Sequence, residues 1–116
     1  MKDKVGTYTF VAEPFHVDFT GKLFMGVLGN HLLNSAGFHA TERGFGIAEM
    51  NESNYTWVLS RLAVEMMDMP SEYETFSVDT WIENVYRLFT DRNFTICGKD
   101  GKVYGYARSV WAMINL

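Results

Sequence analysis

Leu23-Phe24-Met25-Gly26-Val27-Leu28-Gly29-Asn30-His31-Leu32-Leu33-Asn34-Ser35-Ala36-Gly37-Phe38 is the stretch that decides how this chain folds. Phe24, Val27/Leu28, His31, Ser35 and Phe38 recur at helical spacing, while Leu23, Met25, Leu32, Leu33 and Ala36 extend the apolar surface almost right round. The expectation is a helix that begins near Lys22 and is buried on most sides. Gly26, Gly29 and Gly37 each lower helix propensity by up to about 1 kcal/mol relative to Ala. Packing must therefore hold the helix, and small residues would let a sheet come close to it. Asp18-Phe19-Thr20-Gly21 supplies turn and cap chemistry ahead of it, and Gly44 and Gly46 end it or the loop that follows.

On either side of this helix the pattern is that of strands. Thr7 to Val17 carries β-branched and aromatic residues broken by Pro14, which suits an edge strand with a bend. From Tyr55 to Met67 the period is two, with Thr56, Val58, Ser60, Leu62, Val64 and Met66 on one face and Tyr55, Trp57, Leu59, Arg61, Ala63 and Glu65 on the other. Thr75 to Glu83 alternates Phe76, Val78, Thr80 and Ile82 against Ser77, Asp79, Trp81 and Glu83. Asn93 to Cys97 and Lys102 to Ile114 flank an Asp100-Gly101 hairpin signal. One strand, one long helix and four strands with short turns fit an α+β hotdog fold, an antiparallel sheet wrapped around a central helix. A cystatin-like sheet on a helix is the rival, disfavoured because its helix is normally amphipathic.

Length and charge narrow the function classes. At 116 residues there is room for one domain, spanning 1–116. A net charge of −4, with ten Lys and Arg scattered along the chain, excludes nucleic acid as the partner. The single Cys97 cannot form an internal disulfide, no Cys/His cluster has zinc-site spacing, and no apolar run of about 18 residues is present. These features lead to the expectation of a cytoplasmic protein with no membrane span.

Leu28-Gly29-Asn30-His31-Leu32-Leu33 with Ala36 and His39 resembles the central-helix motif of bacterial and plant acyl-acyl carrier protein thioesterases. Gly44-Phe45-Gly46, Trp57-Val58-Leu59-Ser60-Arg61-Leu62, Val78-Asp79-Thr80-Trp81-Ile82, Asp91-Arg92-Asn93-Phe94 and Ser109 to Asn115 are similar to further blocks of that family, in the same order. The resemblance implies two tandem hotdogs, of which this chain matches the N-terminal one. It implies hydrolysis of an acyl thioester to free fatty acid in fatty acid biosynthesis, an acyl carrier protein bearing the acyl group as partner, and no metal or organic cofactor. The family's Asp-x-Asn-x-His catalytic motif lies in the C-terminal hotdog. Here Asp18-Phe19-Thr20-Gly21-Lys22 stands in the corresponding place, with Thr20 and Lys22 where the amide and imidazole would be.

Asp18 is the leading candidate base, because single-hotdog thioesterases place an Asp just before the helix, and its other reading is a helix cap; His31 and His39, eight apart on the helix, are a further pair but lack the carboxylate spacing of a metal site. Leu28, Leu32, Trp57, Leu59 and Trp111 are expected to line the acyl site between helix and sheet, or else to be ordinary core. Asn30 and His31 are expected to hydrogen-bond at the helix–sheet contact, Glu49 and Glu52 to be loop acids, and Cys97 to be a small buried apolar residue. Arg43, Arg87, Arg92 and Lys102 are the basic residues available to an acidic carrier protein. Two alternatives stay open: a homodimeric single-hotdog acyl-CoA thioesterase using Asp18, and a non-catalytic acyl-binding module. A second hotdog or a second copy is expected as partner.

Overall fold

The computed structural model describes residues 4–116. Its elements are β1 (Gly6–Val11), a 3-10 turn at Pro14–His16, α1 (Met25–Glu42), α2 (Ile47–Glu52), β2 (Tyr55–Met66), β3 (Thr75–Val85), β4 (Phe89–Cys97) and β5 (Val103–Asn115). The strands form one antiparallel sheet in the order β1-β3-β4-β5-β2, which leaves β1 and β2 as edges. This is the hotdog arrangement, with α1 laid across the sheet's inner face.

Alternation in β3 and β4 builds the core. Phe76, Val78 and Thr80 on β3 and Arg92, Phe94 and Ile96 on β4 point inward and are buried. They meet Leu28, Leu32 and Ala36 of α1. The Asp100-Gly101 hairpin forms as expected, with Gly101 at φ 85° and the Lys102 N–H donating to Asp100 Oδ1 at 3.1 Å.

Four sequence expectations need correction. First, α1 is not buried on most sides: Leu28, Leu32, Ser35, Ala36, His39 and Ala40 form its buried stripe, while Phe24, Met25 and Phe38 are exposed. One sheet can cover only one face of a helix. Second, the glycines do not admit the sheet, since a Cβ built on Gly26, Gly29 or Gly37 meets nothing within 4 Å. Close approach of backbone to helix happens instead at Gly6 of β1, where a Cβ would lie 2.5 Å from the His39 ring.

Third, the two faces of β2 are not those of simple alternation. The β2–β5 register shifts between Leu59 and Arg61, so Ser60 is accommodated as a bulge. Trp57 and Leu59 before the bulge and Leu62, Val64 and Met66 after it thereby share the half-buried side. Fourth, Ile47–Glu52 is a short helix rather than a loop, and it carries Glu49 and Glu52.

Candidate functional site

Beside the C-terminal half of α1, α2 and residues near the ends of β2, β3, β4 and β5 close around an apolar cleft. Leu33, Ala36, Gly37 and Ala40 of α1 form one wall, with Phe45, Gly46 and Ile47 at the entry to α2. Trp57, Ile82, Thr90, Arg92 and Trp111 form the sheet side. The cleft holds about 520 Å³ of empty space, open mouth included. Ile47, 55% exposed, stands at that mouth.

Two indoles dominate the sheet side, and both have their polar atoms satisfied elsewhere. Trp57 Nε1 donates to the Phe45 carbonyl at 2.9 Å, and Trp111 Nε1 donates to Ser109 Oγ at 2.8 Å. Ser109 Oγ in turn donates to the Arg92 carbonyl at 3.2 Å. With their N–H groups engaged, the rings present carbon to the cleft. Of the residues expected to line an acyl site, Trp57 and Trp111 do face this space. Leu28 and Leu32 lie instead in the fully buried core beside it, and Leu59 sits half-buried opposite Trp111 in register, short of the cleft. Leu33, one position along from Leu32, takes the lining place.

Arg92 is the residue that sequence reasoning misplaced. It is 4% exposed, so it cannot meet a carrier protein. Its Nη1 donates to His39 Nδ1 at 2.9 Å and to Thr80 Oγ1 at 3.2 Å. The Thr80 hydroxyl donates to the Asn93 carbonyl at 3.0 Å, and His39 Nε2 lies 3.0 Å from the Lys4 carbonyl. Only one tautomer satisfies both sides of His39: Nε2 carries the proton and Nδ1 accepts. Burial, reinforced by the Arg92 charge, holds the His39 pKa below its ordinary value, which keeps the ring neutral as this network requires. Burial also lowers the Arg92 guanidinium to about 10, opposed by Tyr8 and aided by Arg43, and it stays charged at neutral pH. The signal was present in the sequence: Arg92 alternates with Phe94 and Ile96 on the inward face of one strand.

Asp18 is not among the residues that line the cleft and does not cap α1. The helix starts at Met25 with Phe24 as N-cap and no side-chain cap. Asp18 Oδ1 accepts from the Thr20 hydroxyl at 2.5 Å and from the backbone N–H groups of Thr20 and Lys22 at 2.8 and 3.3 Å. Those bonds, the Thr20 hydroxyl foremost, hold its carboxyl below the usual range. They close a turn in which Gly21 takes φ 78°. Asn30 is exposed, and both ring nitrogens of His31 are buried without a partner among the described residues, so the expected hydrogen bonds at that contact do not form there. Burial raises the Cys97 thiol pKa. Among the described residues no group of three or more His, Cys, Asp or Glu could hold a metal, and no helix is long and apolar enough to cross a membrane.

The family model of the acyl-ACP thioesterase N-terminal domain matches residues 5–116. This chain belongs to that family. A crystal structure of an acyl-ACP thioesterase from Bacteroides thetaiotaomicron is 77% identical, with a TM-score of 0.96, covering 97% of this chain and 46% of that one. The chloroplastic palmitoyl-acyl carrier protein thioesterase of Gossypium hirsutum is 30% identical over 95 residues, 76% of this chain and 23% of the relative. The 12:0-ACP thioesterase of Umbellularia californica, 24% identical with a TM-score of 0.84, shares the fold over 96% of this chain and 43% of that one. The acyl-ACP thioesterase domain matched here thus spans less than half the length of each of these relatives.

Proposed function

We propose that this chain is the acyl-binding half of an acyl-acyl carrier protein thioesterase, which releases free fatty acid in fatty acid biosynthesis in the cytoplasm. The reaction adds water to the acyl carbonyl and expels the carrier's thiol, so it needs a general base and donors for the oxyanion. The observation that carries the division of labour is the cleft lining itself. Among the described residues it presents carbon from Leu33, Phe45, Ile47, Trp57, Ile82 and Trp111, and no carboxylate, imidazole or thiol. Such a surface binds hydrocarbon at about 0.8 kcal/mol per buried methylene, but it cannot activate water. The base is then supplied by a second hotdog, in keeping with the family's Asp-x-Asn-x-His motif. Exposed Arg87 and Lys102 remain available to an acidic carrier protein.

The test pairs binding with turnover. The chain is titrated with a medium-chain acyl carrier protein while tryptophan fluorescence is followed, and thiol release is measured on the same preparation. Saturable binding with turnover far below the typical range of about 1–1,000 per second is expected. Turnover within that range would place the base in this chain, and absence of binding would remove the acyl cleft.

A further inference from the structure

Among the described residues lining the cleft, Arg92 is the only one with a formal charge. A guanidinium has five N–H donors. Nη1 serves both His39 and Thr80, while Nε and Nη2 have no partner among the described residues. No carboxylate pairs with it there either, since the ion pairs among the described residues are those of Lys22, Arg43 and Arg108.

We propose that the cleft selects acyl groups bearing an oxygen substituent, hydroxyl or oxo, on the chain, and that the free donors of Arg92 are what recognise it. The inference rests on the reading that this cleft holds the acyl chain. A plain hydrocarbon that fills the space displaces whatever water served those donors and leaves buried, charged N–H groups unsatisfied, which is costly. An oxygen at the right position accepts from them instead. Both bonds to Nη1 fix the guanidinium plane, through His39 to the Lys4 carbonyl and through Thr80 to the Asn93 carbonyl, so the remaining donors are pre-oriented. The apolar remainder of the lining suits the methylenes on either side of the oxygen.

The probes are decanoyl-pantetheine analogues in which CH2 replaces the thioester sulfur, so that none is hydrolysed and none has a free carboxylate. One is unsubstituted; the others carry a hydroxyl or an oxo group near the carbonyl, in mid-chain or at the terminus. Calorimetric titration of the wild-type chain should find at least one oxygenated probe bound about ten-fold or more tightly than the unsubstituted one, as a hydrogen bond to a charged group provides. In Arg92→Met that preference should vanish or reverse. Equal or weaker binding of every oxygenated probe, with the plain probe still bound, overturns this inference alone. So does a preference that survives in a folded Arg92→Met protein. Binding of no probe at all overturns the acyl cleft together with it. If Arg92→Met does not fold, the wild-type panel decides by itself.

Discussion

His31 sits between Phe10 and Phe76, with ring centroids 4.3 and 5.6 Å away, and meets the edge of His16 at 6.1 Å. Its two nitrogens are buried and unpartnered among the described residues. Desolvation lowers its pKa, the His16 ring pushes the same way, and Glu13 opposes. The sign of the consequence follows from proton counting. In the unfolded chain the imidazole gains a proton as pH falls through about 6.5, whereas in the fold it stays neutral to lower pH, so the unfolded state binds more protons. Stability therefore drops as pH falls below about 6.5, until folded His31 itself titrates. His39, also lowered by burial, adds to the same slope. His31→Leu fills a comparable volume with carbon, so it should stabilise the protein at about pH 5.5 by roughly 1 kcal/mol and flatten, without abolishing, the loss between neutrality and that pH. Urea midpoints at the two pH values measure this; an unchanged slope would mean that the ring is hydrated in the fold.

At the level of the element, α1 carries the most information about what surrounds this chain. Gly29 lies in the helix interior and a Cβ there meets nothing within 4 Å, so Ala should gain its full propensity advantage. Gly29→Ala is expected to stabilise the isolated chain by about 0.5–1 kcal/mol, a rise of roughly 3–6 °C in melting temperature. A lower melting temperature would show that another surface presses on that face in solution. The same helix shows how much could be read in advance. Its existence followed from apolar spacing, but an apolar residue such as Phe24 or Phe38 carries no mark of whether the sheet or something beyond the sheet covers it. The succession of strands along the chain was equally legible, because β3 and β4 alternate cleanly, whereas their order within the sheet was not. The bulge at Ser60 was not: nothing in Leu59-Ser60-Arg61 distinguishes an inserted residue from continued pleat, and one unpaired position reverses the faces of everything after it. The cleft was half legible for a related reason. Trp57 and Trp111 were large enough to stand out, whereas Arg92 was read by its charge when its place in the alternation put it inside.

For the molecule as a whole, the question is what covers the surfaces left open by one sheet and one helix. β2 runs for twelve residues and, among the described residues, is paired on one side only, with β5, so its outer row of backbone groups has no strand partner there. β1, the other edge, has six residues. A long unprotected edge is a template for another strand. Apolar side chains are also left in the open: Phe15 and Phe19 are fully exposed, and Phe24 and Met25 are about half exposed at the start of α1. A second hotdog in the same polypeptide would cover such surfaces in a full-length enzyme, and in its absence a second copy is the available substitute. The isolated chain is accordingly expected to pair through β2, with a light-scattering mass at micromolar concentration near twice 13.3 kDa. Val58, 42% exposed on β2, tests the route, because lysine on an edge strand opposes pairing by charge and by its hydration. Val58→Lys should shift the mass toward the monomer while leaving the melting transition at high dilution little changed. A monomeric wild type at every concentration would remove the pairing, and a Val58→Lys dimer as tight as the wild type would move the contact from β2 to the exposed face of α1.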